Sequence, residues 1–208
     1  SRKQWSEAQA ELELALQLDS KSKQAWEMLV ALSQERGNRK LMESSLRALL
    51  AREPEHYLQY QNEGVLRYNR GELDKAEAAF RKGVQRRRDP TLLNNLASVL
   101  MERGGDLEEA LELADECLRR QPGRPEFLST RGEAYLRLGR FEEGRKDLQM
   151  ALKKQGPSTN RLIMLAECYE GLGDREHALA IAKALARQPD KLSGRDTNRV
   201  RDLLLRLR

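Results

Sequence analysis

Little in this chain equips it for chemistry or for a membrane. Only 5% of its 208 residues are aromatic, and it has just two histidines and two cysteines. Two cysteines, Cys117 and Cys168, cannot form the disulfide framework of a small secreted scaffold. Each stands in an apolar helical stretch, where a free thiol behaves as a small buried hydrophobe. Such usage leans toward a reducing, cytoplasmic compartment. No run approaches the roughly 20 apolar residues of a membrane span, and no signal-peptide core is present. No membrane contact is therefore expected of this segment.

Proline is sparse as well, and its placement is informative. All six prolines (54, 90, 122, 125, 157 and 189) fall in breaks between helical stretches. None stands mid-helix, where it would cost about 3 kcal/mol. Asp89-Pro90 reads as a helix cap followed by proline in the first turn.

What the chain does have is charge and helix formers. Charged residues make up 34% and the net charge is +5, while Leu, Ala, Glu, Arg and Lys dominate, all favourable in helices. A second set of breaks carries glycine: Gly37, Gly71, Gly104, Gly139 and Gly173, spaced 34, 33, 35 and 34 residues apart. Glycine suits a left-handed helix end, and a polar residue after it can cap the next helix. Apolar and small residues keep the same phase. Val30, Gly64, Ala97, Gly132 and Ala166 stand seven before each glycine, and Met42, Ala76, Gly144 and Ala178 five after. Ala110 matches when counted from Gly105, so the second glycine is a one-residue insertion. Small residues at fixed phase let two helices approach closely.

A 34-residue helix–turn–helix unit with these small-residue, Tyr, Gly, Ala and Pro markers resembles the tetratricopeptide repeat. Tyr135-Leu-Arg-Leu-Gly139-Arg-Phe141 and Tyr169-Glu-Gly-Leu-Gly173-Asp carry the likeness best. It implies an all-α fold, a right-handed α-α superhelix of about five and a half repeats plus a C-terminal capping helix. The repeats would cover 23–56, 57–89, 90–124, 125–158 and 159–190. Residues 1–22 read as the second helix of a repeat whose first helix is missing, with Trp5, Ala8, Leu12, Ala15 and Leu16 apolar. That face is expected either to meet a preceding part of a longer protein or to pair with a second copy, giving a homodimer. Residues 191–208 read as the cap, with Val200, Leu203, Leu204 and Leu207 inward.

No catalytic set, metal site or cofactor is expected. His56 lies in a turn beside Pro54 and His177 in the first turn of a helix, both read as solvated. Cys168 and His177 have no partners at metal-ligand spacing, and Gly104-Gly105-Asp106 lacks the Lys and the strand of a phosphate-binding loop. The expectation is a protein-binding scaffold or adaptor.

In proteins that this chain resembles, the first helix of each repeat lines an inner wall. The inward positions then fall 13, 10, 9, 6, 3 and 2 before each turn glycine. Seven of those thirty positions are Glu and one is Arg, an acidic groove in a basic protein. Glu126, Glu133 and Glu167 are its expected binding carboxylates. Amides and hydroxyls accompany them: Asn62, Asn69, Asn94 and Asn95, with Tyr68, Ser98 and Thr130. An amide both donates and accepts, so it can pair with the backbone of an extended peptide. Asn62 and Asn95 share a phase, two rungs of the asparagine ladder that some tetratricopeptide proteins carry. The carboxylate clamp of co-chaperone domains is not matched: Glu27, Ala31, Asn62, Thr91 and Asn95 hold its positions, and only Asn62 fits. The expected ligand is an extended, basic or neutral segment of another protein.

The surplus Lys and Arg falls mostly on second helices and at the C-terminus, as at Arg86-Arg87-Arg88 and at Arg199, Arg201, Arg206 and Arg208. Nucleic acid is the alternative ligand for that surface. It is not expected, because stacking aromatics are scarce there and acids are interleaved with the bases.

Overall fold

The structure, a computed structural model, describes residues 2–207, with side chains from residue 5; Arg208 lies outside the described residues. Among them are twelve α-helices, one 3-10 turn and no strand. In chain order they are α1 Arg2–Leu18, α2 Lys23–Glu35, α3 Arg39–Leu50, α4 Tyr57–Asn69, α5 Leu73–Arg86 and α6 Pro90–Arg103. There follow α7 Leu107–Arg120, α8 Pro125–Arg137, α9 Phe141–Gln155, α10 Thr159–Gly171, α11 Arg175–Ala186 and α12 Gly194–Arg206. Among the described residues no helix is long and apolar enough to cross a membrane.

The five glycine turns share one construction. Each of the spaced glycines has a positive φ, between 65° and 76°. In every case the amide after the glycine donates to the carbonyl five residues back: Asn38 to Ser33, Glu72 to Arg67, Gly105 to Leu100, Arg140 to Tyr135 and Asp174 to Tyr169. This is the wrap-around bond of a Schellman end. Gly105 therefore occupies the position after the turn glycine, and the inserted residue moves the next cap to Asp106, whose carboxylate accepts from the Glu109 amide at 2.9 Å. Asn38 and Asp174 cap α3 and α11 in the same way, whereas Glu72 and Arg140 make no side-chain cap. At the alternate breaks Asp89 caps α6 ahead of Pro90, and Pro125 opens α8.

The residues at repeat phase are the packing seam. Ala76, Ala97, Ala110, Ala166 and Ala178 are fully buried. Ser33, four residues before Gly37, is buried too, and its hydroxyl donates to the Leu29 and Val30 carbonyls. One continuous core runs from Ala76 in α5 to Ala151 in α9, with smaller clusters at each end. α1 packs through Ala8, Leu12, Ala15 and Leu16 on Ala25, Leu29 and Leu32 of α2. α12 buries Val200, Leu203 and Leu207 against α10 and α11. Cys117 and Cys168 are wholly buried, and burial pushes both thiols up to about 12.

First helices of successive pairs touch directly, α4 on α6, α6 on α8 and α8 on α10, and α12 then closes on α10. This contact marks the inner, tighter wall of the curve.

Candidate functional site

The inner wall opens into a cavity of about 570 Å³. Four successive first helices line it: Tyr68 of α4, Ser98 and Glu102 of α6, Thr130 and Glu133 of α8, and Met164 and Glu167 of α10. Ser98, Glu133 and Glu167 each stand six residues before a turn glycine, so the repeat itself sets them in a row. A smaller cavity of about 190 Å³ adjoins it, lined by Val65, Tyr68, Phe80, Asn95, Ser98 and Val99. Tyr68 and Ser98 belong to both. Of the residues expected from sequence, Tyr68, Ser98, Thr130, Glu133 and Glu167 meet at the larger cavity and Asn95 at the smaller. Asn62, Asn69, Asn94 and Glu126 line neither.

The glutamates do not face the cavity as bare charges. Arg195 at the start of α12 reaches Glu102 at 2.7 Å, and Arg199 holds Glu167 at 2.7 Å while donating to Asn160 at 2.8 Å. Arg206 grips Glu170 with two bonds of 2.8 Å. Within α8, Arg137 pairs with Glu133 at 2.8 Å and also donates to the Met101 carbonyl at 2.9 Å. Glu126 receives Gln155 and Arg124 at 3.3 and 3.5 Å, and Glu27 receives His56 and Arg87. Six of the seven groove glutamates thus have a cationic or histidine partner. Sequence phase found the carboxylates and Arg137 but missed Arg195, Arg199 and Arg206, because α12 lies outside the repeat frame. A helix with its apolar stripe at Val200, Leu203 and Leu207 has Arg199 and Arg206 on its flanks, which was the available signal.

The amides and hydroxyls divide between local and outward roles. Ser98 and Thr130 donate to the carbonyls of Asn94 and Glu126, one turn back in their own helices, and Thr130 is buried. The Asn62 amide donates to Leu58 at 2.8 Å. The Asn94 Oδ1 is buried with no hydrogen-bond partner among the described residues. Tyr68 lies 37% exposed with its hydroxyl 3.4 Å from Glu102. Burial and the neighbouring Glu102 carboxylate both hold its phenol above the usual range.

His56 departs from expectation. It is buried at 4% exposure, its Nδ1 accepts the Leu58 amide as the cap of α4, and its Nε2 lies 2.7 Å from Glu27. A residue preceding a helix with its ring folded onto the first turn is shielded by the preceding pair. His177 is exposed, beside Asp174 at 2.9 Å and stacked on Tyr169. Among the described residues no cluster of three or more His, Cys, Asp and Glu could hold a metal ion.

Away from the groove the basic surface is laced with acids. Arg81 bridges α5 to Glu109 of α7 with bonds of 2.6 and 2.7 Å. Arg86, Arg87 and Arg88 pair with Glu55, Glu27 and Glu116.

Two family models, both described as tetratricopeptide repeat, match residues 62–125 and 100–161. The comparison with curated protein sequences found no match. Among solved structures, the type IV pilus biogenesis factor PilW aligns over 98% of this chain and 92% of its own, at 17% identity and a TM-score of 0.58. A tetratricopeptide repeat protein from Parabacteroides merdae aligns over 88% and 73%, at 23% identity and a TM-score of 0.60. YrrB, described as a TPR protein with an unusual peptide-binding site, aligns over 86% and 93%, at 15% identity and a TM-score of 0.56. At these identities the likeness is one of fold.

Proposed function

The chain is a tetratricopeptide-repeat protein, and on that premise we propose that it is a protein-interaction module holding an extended, basic or neutral segment of a partner against its inner wall. One observation carries the reading: four successive first helices deliver side chains to one open cavity of about 570 Å³, three of them from a single repeat phase. A surface so assembled runs across several repeats, which suits an elongated ligand better than a compact one. Neighbouring folds agree, since YrrB is described by its peptide-binding site and another match, the first TPR of Spaghetti, is described as bound to an HSP90 peptide.

The wall offers exchangeable polar contacts. Asn95 stands beside the smaller cavity to meet a peptide backbone, and Glu133 and Glu167 offer carboxylates to a cation. The test is affinity capture from lysate with the chain and with a variant carrying Asn95→Ala and Glu133→Lys. A partner held by the first and lost by the second, with helicity unchanged by circular dichroism, supports the groove. Equal capture by both would sink it.

A second reading has its own observation. Leu14 and Leu18, one turn apart on α1, are 55% and 84% exposed, a small apolar patch that a second copy could cover. Multi-angle light scattering that finds a monomer at high concentration removes this self-association.

A further inference from the structure

The two adjoining cavities differ in chemistry, and the difference specifies a ligand. The smaller is apolar, floored by the ring of Phe80 and walled by Val65 and Val99. The Phe80 floor is placed by the glycine at position 64: a Cβ there would lie 2.4 Å from the Phe80 ring, so the ring fits only against a bare backbone. Its volume of about 190 Å³ leaves room for one aliphatic side chain. Val65 at 40% exposure gives it an apolar lip.

The larger cavity, one side chain away across Tyr68 and Ser98, is charged. It is lined by four carboxylates (Glu102, Glu133, Glu167 and Asp196) and three guanidiniums (Arg137, Arg195 and Arg199). Asp196 is held by the Ser193 hydroxyl at 2.7 Å, which leaves the glutamates as the acceptors. The chain's own arginines show what these glutamates accept. Arg195 crosses 93 residues of sequence to place a guanidinium on Glu102. That side chain is 66% exposed, and so exposed a pair contributes little to stability, which makes it easy to displace.

We propose that the groove reads a two-part signal in its partner: an aliphatic side chain seated in the Val65, Phe80 and Val99 pocket, and an arginine one to three residues away whose guanidinium takes the place of Arg195 on Glu102. The spacing follows from geometry, since the pockets share two lining residues and an extended segment advances about 3.3 Å per residue. Charge decides the sign: four carboxylates against three guanidiniums leave the cavity one negative charge, which a cation cancels and an incoming carboxylate would double. This deepens the function proposed above and rests on it.

The test is selection from a random-peptide display library on the intact chain. Enrichment of sequences with an aliphatic residue and an arginine roughly one to three positions apart is expected. Val65→Ser should then erase the aliphatic preference, and Glu102→Gln should weaken binding of a selected peptide about tenfold. Arg195→Gln should tighten it by removing the internal competitor. Enrichment of acidic peptides, or enrichment lacking the pair, or none, overturns the inference. Selected peptides that lack the pair yet are lost with Asn95→Ala and Glu133→Lys leave the groove function standing. Peptides indifferent to those substitutions remove both.

Discussion

Arg131 grips Asp147 with two parallel hydrogen bonds, Nε at 2.6 Å and Nη2 at 2.9 Å, while its remaining nitrogen reaches Asp115 at 2.9 Å. One guanidinium thereby joins α7, α8 and α9 across a repeat boundary. Asp147 is buried at 5% exposure, so removing its partner strands a charge away from water. Arg131→Met is expected to cost about 2–3 kcal/mol, below the range for a fully buried pair because the arginine is partly exposed. Asp147→Leu added to it should recover a good part of the loss. Urea midpoints for the two variants decide, and an unchanged single variant would show that the triad contributes nothing.

Gly64→Ala tests the close approach of α4 and α5. The added methyl would stand 2.4 Å from the Phe80 ring, which is 2% exposed and has nowhere to withdraw. Overpacking of this kind costs about 1–3 kcal/mol, against a gain of about 1 kcal/mol in helix propensity. A net loss of about 1 kcal/mol is expected, and Phe80→Leu in the same chain should relieve it. A melting temperature that rises in Gly64→Ala would refute the contact.

Acid should act through Glu27. Burial raises its affinity for a proton, but hydrogen bonds from His56 and Arg87 outweigh that and hold its carboxyl below the usual carboxylate range. A depressed carboxyl stabilises the fold above its unfolded pKa, and the contribution drains away as pH falls through the folded value. Thermal midpoints between about pH 3 and 6 should therefore drop steeply below 4.5 in the parent. In Glu27→Gln the drop should be shallower, and parallel curves would contradict the linkage.

Both thiols should be silent in the native chain. Cys117 and Cys168 are wholly buried and titrate near 12, so at neutral pH neither is exposed nor ionised. A thiol reagent should label neither until denaturant is added, and then both. Labelling of one cysteine in the folded chain would show that its repeat opens locally.

Periodicity carried most of this architecture. Five glycines in register located these Schellman ends, and residues counted back from them include the row of Ser98, Glu133 and Glu167 that lines the larger cavity. Three things escaped. The glutamate partners Arg195 and Arg199 belong to a helix with no repeat phase, and their contacts span 93 and 32 residues. The buried His56 has its ring partner, Glu27, arriving from α2, 29 residues away, which no local pattern encodes. The ladder amide Asn62 has its donor engaged one turn back on Leu58, a choice that spacing along the helix leaves open. Local repetition is readable in a single chain because it is written five times, whereas a contact made once is written nowhere but in the packing.

The pairing of groove glutamates with the chain's own arginines has a kinetic consequence. Oppositely charged groups under 3 Å apart cancel at any distance beyond a Debye length, about 8 Å at physiological salt. With only one charge left over, an approaching ligand meets little long-range attraction, so it should associate near the unsteered rate of about 10⁵–10⁶ M⁻¹s⁻¹. Stopped-flow traces at rising salt should show that rate nearly flat. Selectivity then resides in residence time: every peptide arrives alike, and only one able to replace a resident guanidinium lingers.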